Sequence, residues 1–120
     1  MEYISAEEFL KQDEKIQEVF KEYFDHKEML FENGIIYYGS FKDEIEYIPL
    51  LTEGQLREFI EDNKCGKVDI TYDEDGYKIG LTDETGLYSD LYNHLDKDLL
   101  QAYWKVAVQI VKEQLKNSFN

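Results

Sequence analysis

Apolar residues recur at helical spacing in the N-terminal segment, which predicts helix there. Ser5 and Glu8 form a capping-box pair, in which each side chain accepts the free backbone N–H of the other residue. Asp13 can cap a second start, so we expect a short turn of helix followed by a longer helix. The apolar residues at this spacing are Phe9, Ile16, Val19, Phe20, Tyr23 and Phe24.

The stretch around Asn33 and Gly34 predicts a β-hairpin. These two residues suit the positive φ angles of a type I′ turn. They separate the β-prone residues 30–31 from a second β-prone run at 35–38. We therefore expect two short paired strands directly after the first helices.

A second hairpin is predicted over residues 67–82, where apolar and polar residues alternate at period two. The turn is expected at Asp75-Gly76. The apolar positions of the two strands then share one face: Val68, Ile70 and Tyr72 on the first, and Tyr77, Ile79 and Leu81 on the second. Residues 87–92 predict a further strand.

A helix is predicted between the two hairpins. Pro49 argues against a central strand before it, because proline cannot donate to a sheet ladder. Thr52 and Gln55 form a second capping box, and Gly66 is expected to end the helix. Its buried stripe is Leu56, Phe59 and Ile60.

The last helix begins at Asp96 or Asp98 and is the most apolar of the chain. Its predicted core face is Leu100, Tyr103, Trp104, Ala107, Ile110 and Val111. The elements therefore follow the order α-β-β-α-β-β-(β)-α. This order predicts an α+β fold, in which a small antiparallel sheet of two hairpins and a possible fifth strand packs against helices.

Composition bounds the function. A chain of 120 residues is expected to form one domain over residues 1–120. Its 13 basic and 27 acidic residues give a net charge of −14, which predicts no direct binding to nucleic acid or to an anionic membrane. No signal-peptide or membrane-spanning pattern is present, and the lone Cys65 predicts no internal disulfide, so we expect a cytoplasmic protein.

The acidic stretch around Gly76 shares some features with a calcium loop. With Gly76 at loop position 6, Asp73 and Asp75 occupy ligand positions 3 and 5. Positions 1 and 12 are then Thr71 and Thr82, so the first ligand and the bidentate glutamate are missing. A hairpin turn is the favoured interpretation.

Other chemistry has no recognisable motif. His26 and His94 have no ligand-type partner at zinc spacing. Cys65 lies between Lys64 and Lys67, which can lower a thiol pKa, but no neighbouring base is identifiable. We expect no metal site, no catalytic residue and no cofactor, and therefore a protein that is not an enzyme.

Acidic residues form the candidate partner-binding site. On the second helix Glu14, Glu18, Glu22 and Asp25 follow one another on one face. The candidate residues of the second half are Asp73, Glu74, Asp75, Asp83 and Glu84. Two interpretations stand side by side: a solvated face, or a row of carboxylates that imitates the phosphates of nucleic acid for a basic partner protein.

Three segments resemble small proteins encoded by phages and prophages of low-GC Gram-positive bacteria. They are SAEEFLKQDEK at 5–15, YIPLLTEGQLREFIED at 47–62 and DLLQAYWKVAVQIVKE at 98–113, about a third of the chain. The resemblance implies a phage accessory protein that works in the bacterial cytoplasm. It implies no activity and carries over no catalytic residue.

The leading functional hypothesis is a stoichiometric protein-binding inhibitor or modulator of a basic host protein, such as a nucleic-acid-binding or defence protein. The high negative charge and the lack of a catalytic motif favour it. One alternative is a small-ligand binding or sequestering protein that uses aromatic residues around a pocket. Another is a phage structural or assembly subunit.

Overall fold

The structure, a computed structural model, describes residues 2–34, 36–38 and 48–118. It has the α+β class and the order of elements that the sequence predicts. The helices are α1 (Ala6–Leu10), α2 (Glu14–Phe24), α3 (Glu53–Lys64) and α4 (Leu99–Ser118). The strands are β1 (Glu28–Leu30), β2 (Ile36–Tyr38), β3 (Lys67–Asp73), β4 (Gly76–Thr82) and β5 (Tyr88–Tyr92).

The chain divides into two compact units, Met1–Thr52 and Glu53–Asn120. The five strands form two antiparallel sheets, one in each unit: β1-β2 in the first, and β3-β4-β5 in the second. The two predicted hairpins therefore lie in separate sheets in the described parts of the chain. That residues 1–120 form a single domain stays a prediction.

The first unit begins with two helices whose starts are capped as expected. The Ser5 hydroxyl accepts the backbone N–H of Glu8 at 3.2 Å, and the Asp13 carboxylate accepts that of Lys15 at 3.0 Å. The side-chain amide of Gln17 donates to the Gln12 carbonyl at 2.8 Å, which fastens the connection between α1 and α2. These caps satisfy N–H groups that a helix leaves without partners.

The hairpin of the first unit pairs Leu30 with Ile36, but its turn differs from the predicted type I′. Of Asn33 and Gly34, only Gly34 has a positive φ, of 84°. The N–H of Gly34 donates to the carbonyl of Phe31 at 2.9 Å, so Asn33 lies inside the turn and Gly34 closes it. Asn-Gly indicated the hairpin correctly and its turn type wrongly. Ile35, at the start of the predicted second strand, lies outside the described residues.

Residues 48–51 join this hairpin through the backbone. Leu50 N–H donates to the Leu30 carbonyl at 2.8 Å, and Ile4 N–H donates to the Leu51 carbonyl at 2.8 Å. Pro49 forms an isolated bridge with Phe31, in keeping with its exclusion from a central strand. The core of the unit consists of Ile4, Phe9, Ile16, Phe20, Phe24, Met29, Phe31, Ile48, Leu50 and Leu51.

The sheet of the second unit has the predicted apolar face. Val68 pairs with Leu81, Ile70 with Ile79 and Tyr72 with Tyr77, so the six apolar residues share one face. Val68, Ile79 and Leu81 are buried there. The predicted fifth strand is β5, which pairs antiparallel with β4 and includes a bulge opposite Leu81 and Thr82.

The turn between β3 and β4 lies one residue earlier than predicted. Asp73 pairs with Gly76, so Glu74 and Asp75 are the two turn residues. Gly76 follows them with a φ of 109°, and the backbone N–H of Tyr77 donates to the Asp96 carbonyl at 2.9 Å. Glycine is needed here, but as the residue after the turn.

The end of α3 also differs from the prediction. Cys65, and not Gly66, takes the left-handed conformation after the helix, with a φ of 52°. Gly66 N–H donates to the Glu61 carbonyl at 3.4 Å. The predicted stripe of Leu56, Phe59 and Ile60 is buried as expected.

Helix α4 contacts α3 and β4 and is buried around much of its circumference. Asp98, one of the two expected caps, accepts the N–H of Gln101 at 3.0 Å. All six predicted core residues are buried, and so are Ala102, Val106 and Val108. Among the helices of the described residues, none is long and apolar enough to span a bilayer.

Candidate protein-binding surfaces

Three of the predicted acidic residues form a row on α2. Glu14, Glu18 and Glu22 are exposed and stand four residues apart, on one face of the helix. In the described part of the chain none of the three has an ion pair or a side-chain hydrogen bond. Glu14 is also the first residue of α2, where a carboxylate interacts favourably with the helix dipole. We call these three side chains the α2 row.

Asp25 does not extend the α2 row. It follows the last residue of the helix as its C-cap, and only 11% of its side chain is exposed. Its carboxylate lies 3.5 Å from the Nε2 atom of His26, a residue with a φ of 68°. The predicted spacing assumed that the helix includes Asp25. Because α2 ends at Phe24, Asp25 does not lie on the exposed face with the other three residues.

The acidic turn between β3 and β4 is partly structural. Asp73 lies 2.7 Å from the ammonium of Lys78 and accepts the backbone N–H of Asp75 at 2.9 Å. The bond with Lys78 is the main reason why the pKa of Asp73 is lowered. Asp73, Glu74 and Asp75 are all exposed, but Asp73 is engaged by Lys78, so Glu74 and Asp75 are the two without that ion pair.

The Asp83-Glu84 turn lies at the other end of β4. One oxygen of Asp83 accepts the hydroxyl of Thr85 at 2.6 Å, the N–H of Thr85 at 2.9 Å and the N–H of Leu87 at 3.2 Å. The bond with the Thr85 hydroxyl is the main reason why the pKa of Asp83 is lowered. Because a seven-residue strand spans about 20 Å, the two acidic turns do not form one surface.

An open groove of about 610 Å³ lies beside the Asp83-Glu84 turn, between that turn and α3. Arg57 and Lys67 line it, together with the exposed Cys65. Arg57 Nε lies 3.8 Å from the Glu61 carboxylate, which partly neutralises that cation. The acidic lining residues outnumber the two bases: Glu58, Glu61, Asp62, Asp83 and Glu84. The groove is therefore poorly suited to an anionic ligand.

A polar cluster joins α3, α4 and β5. Lys64 Nζ lies 3.4 Å from the Glu113 carboxylate, and Tyr92 and Asp90 of β5 are close enough to act on the same lysine. Burial lowers the pKa of Lys64, but these three neighbours together hold it above its ordinary value. Burial is also the main reason why the pKa of Tyr92 is raised. Because Lys64 stays charged, it stabilises the packing of α3 on α4 through its ion pair with Glu113 and is poorly suited to act as a base.

The outer face of the β3-β4-β5 sheet carries a feature that the sequence did not single out. The ring of Tyr88 lies across Gly80, and its hydroxyl donates to the Asp69 carboxylate on β3. This bond with Asp69 is the main reason why the pKa of Tyr88 is raised. Tyr88 is 57% exposed, and Leu87 and Leu91 are 68% and 57% exposed. The sequence did contain this feature: Leu87, Tyr88 and Leu91 lie in the predicted strand 87–92, and no further apolar strand follows it.

The described residues contain no cluster of metal-ligand side chains. There, no group of three or more His, Cys, Asp or Glu side chains is placed to hold a metal ion. The thiol of Cys65 has one weak contact, 3.9 Å from the Asp62 carbonyl. What these surfaces offer is unpaired carboxylates on α2 and exposed apolar side chains on β5. No protein-family profile, curated protein or solved structure matches the chain, so the comparisons assign it to no family.

Proposed function

We propose that this protein binds a basic protein partner stoichiometrically through the α2 row. The observation that carries the proposal is the row itself: Glu14, Glu18 and Glu22 are exposed, adjacent on one face and without an ion pair in the described chain. Like charges four residues apart cost a helix a few tenths of a kcal/mol per pair. Cations of a partner would remove this repulsion and add attractions of their own.

The spacing of the row limits how closely it imitates nucleic acid. Carboxylates four residues apart are separated by about 6 Å along the helix axis. One strand of B-DNA carries a phosphate about every 3.4 Å of its axis. The row alone therefore has about half the linear charge density of a DNA strand. Competition with DNA for a basic groove relies on the net charge of −14 as well.

The setting we propose is the cytoplasm of a bacterial host, with the protein as a phage accessory product. The partner would be a nucleic-acid-binding or defence protein that this protein inhibits or modulates by occupying its nucleic-acid site. The charge of the chain and its likeness to small phage proteins support this setting. That the protein is not an enzyme stays a prediction.

Sequestration of a small anionic ligand is the weaker proposal. The groove beside Asp83 and Glu84 has the necessary volume but an excess of carboxylates. An anion placed there would approach five negative side chains with only Arg57 and Lys67 to attract it. A role as a phage structural or assembly subunit has no observation that favours it.

The test uses two charge-matched variants. One replaces Glu14, Glu18 and Glu22 with Lys, and the other replaces Glu74, Asp75 and Glu84, which are exposed residues of the second unit. Each reversal adds two charges, so both triples change the net charge from −14 to −8. Tagged protein first captures partners from a lysate of a low-GC Gram-positive bacterium. Calorimetry then measures the stoichiometry and Kd of an isolated partner with each variant, at low and high salt and with competing DNA.

We expect one-to-one binding that the α2 triple weakens at least tenfold and the control triple at most about threefold. Binding should weaken steeply with salt, because the screening length falls to about 3 Å at 1 M. DNA should compete for the partner. Equal losses in both triples would mean that net charge alone acts. Unchanged affinity in both, with no effect of salt, would refute the proposal. Circular dichroism checks the fold of each variant.

A further inference from the structure

Strand β5 is an open edge of the second unit's sheet. Its only strand neighbour in the described residues is β4. In an antiparallel sheet, alternate residues of an edge strand direct N–H and C=O groups away from the sheet. A strand with such groups exposed is a template for pairing with another chain. Leu91 on this strand and Leu87 just before it add exposed apolar side chains.

The register identifies the outward donor of β5. On β3, the N–H of Val68 donates to the Glu61 carboxylate at 2.8 Å, so it points away from β4. Because directions alternate, Leu81, the partner of Val68, is directed towards β5 and pairs there with Asp90. The next residue of β5, Leu91, then directs its N–H outward. Of the sheet's two edges, that of β3 has a donor satisfied by Glu61.

Asp90 gives the edge a charge preference. It is the middle residue of β5, half-buried, and makes no ion pair within the described chain. Lys64, on which the charge of Asp90 acts, is already 3.4 Å from the Glu113 carboxylate. Leu91 lies on the other face of the strand. An added strand would therefore meet a carboxylate on one face and an apolar side chain on the other.

We propose that β5 binds an extended segment of a partner protein as an added strand, with basic and apolar residues alternating along it. Main-chain hydrogen bonds to Leu91 hold such a strand, and side-chain contacts select it. Its cations lie opposite Asp90 and its apolar residues opposite Leu91. This surface belongs to a different unit from the α2 row, so the proposal does not depend on the function proposed above.

A groove of about 420 Å³ lies near the face of β5 that carries Asp90. It lies between the end of β5 and α4, and is lined in part by Tyr92, Gln109 and Glu113. Lys105 also lines the groove, but its ammonium forms an ion pair with the Asp96 carboxylate at 3.4 Å. A lysine or arginine of the added strand can extend into this groove, which offers oxygen acceptors and an aromatic ring.

A second copy of this chain fits the edge less well. Two β5 strands that pair symmetrically over their full length would place Asp90 opposite Asp90, since it is the central residue. Like charges directly opposite destabilise a strand pair. The net charge of −14 adds repulsion between copies. The alternating basic segment removes both penalties.

The probe is a labelled peptide, Lys-Val-Lys-Val-Lys-Val-Lys with blocked ends, measured by fluorescence anisotropy with the whole protein. One control peptide has Glu in place of Lys, and another is N-methylated at its three central residues, which removes backbone donors and keeps the charge. On the protein side Leu91→Pro removes the outward N–H, which an edge strand tolerates, and Leu91→Val keeps it. Amide hydrogen exchange followed by NMR reports on Leu91.

We expect the Lys-Val peptide to bind at least tenfold more tightly than either control peptide and to slow exchange of the Leu91 amide. Leu91→Pro should weaken binding at least tenfold and Leu91→Val no more than about threefold. If Leu91→Pro does not fold, the N-methylated peptide on the unmodified protein decides. Equal binding of the N-methylated peptide would overturn the proposal, as would no binding at millimolar peptide. Self-association through β5, detected by ultracentrifugation, would overturn it in favour of a second copy.

Discussion

The backbone carbonyl oxygen of Asp96 lies 2.7 Å from the position that a Cβ atom on Gly76 would occupy. The same oxygen accepts the N–H of Tyr77 at 2.9 Å. The segment before α4 therefore fastens the start of β4, and it can approach so closely only because residue 76 has no side chain. The φ of 109° is a second and independent reason for glycine at this position.

Gly76→Ala is expected to destabilise the second unit by more than the about 1–2 kcal/mol that a left-handed backbone costs an ordinary residue. The excess comes from displacement of the Asp96 carbonyl. Gly86→Ala is the matched control, because Gly86 has a φ of 84° but no atom within 4 Å of an added Cβ. Urea denaturation measures both. Equal losses would show that the contact with Asp96 contributes nothing.

The pairing of β3 with β4 could be predicted because one face of the sheet is buried. A shift by one residue would move the apolar residues of one strand to the outer face, so the apolar pattern fixes which residues share a face. A shift by two residues keeps these faces: the turn predicted at Asp75-Gly76 would pair Tyr72 with Ile79, whereas the structure pairs Tyr72 with Tyr77. The turn could not be placed as well. Asp-Gly also occurs with glycine as the residue after a two-residue turn, and the sequence alone does not distinguish the two arrangements.

Helix ends were the other source of error. The sequence predicts that Gly66 ends α3, because glycine adopts the left-handed conformation after a helix at least cost. The structure gives that conformation to Cys65, one residue earlier. The helix ends at Lys64, and the residue directly after it takes the positive φ.

Cys65→Gly is expected to raise the free energy of unfolding by up to about 1 kcal/mol, since glycine adopts a φ of 52° without steric cost. Cys65→Ala removes the thiol without relieving the backbone and serves as the control. We expect it to change stability by less than about 0.5 kcal/mol. Thermal and urea unfolding of both variants provide the test. A larger gain in Cys65→Ala than in Cys65→Gly would contradict it.

The acidic site was predictable as a set of residue types but not as a surface. Asp25 lies beyond the end of α2. The Asp73 carboxylate binds Lys78, and the Asp83 carboxylate accepts hydrogen bonds from the Thr85 turn. Sequence spacing does not report which carboxylates bind their own neighbours. The β5 edge was missed for a related reason, because an open edge depends on which strands lie beside it.

Lys21 offers a test of the electrostatics of α2. The residue is 9% exposed, and burial lowers its pKa from 10.5, an effect that the charge of Glu18 partly offsets. A lowered lysine pKa means that the ammonium costs stability while it remains charged. We expect Lys21→Met to stabilise the protein at pH 7 by up to about 1 kcal/mol.

The pH dependence of this gain has a definite sign. It should be full below the lowered pKa of the folded state and decline as pH rises through that value towards 10.5, because the folded and unfolded lysine are then both neutral. Lys11→Met is the control, since the Lys11 side chain is 69% exposed. Urea unfolding at several pH values measures both variants. A gain that grows with pH would contradict the assignment.

Gly80 and Tyr88 should act as a coupled pair. A Cβ on Gly80 would lie 2.5 Å from the Cε1 atom of the Tyr88 ring, so the ring must shift in Gly80→Ala, and we expect this shift to weaken its bond with Asp69. We expect Gly80→Ala to destabilise the native protein. In a Tyr88→Ala background the same change should be neutral or favourable, because glycine inside a strand is about 0.5–1 kcal/mol worse than alanine. Urea unfolding of the four proteins measures the coupling.

The ionisation of Tyr88 gives a second readout of the same pair. Its bond with Asp69 raises the pKa of Tyr88 above 10.0, so the stability that this bond contributes is present below 10.0 and is lost as pH rises through the raised value. Ultraviolet titration, with Tyr88→Phe to identify the signal, should show this pKa return towards 10.0 in Gly80→Ala. Additive effects of the two substitutions on stability, together with an unchanged Tyr88 pKa, would mean that the ring does not depend on the glycine beneath it.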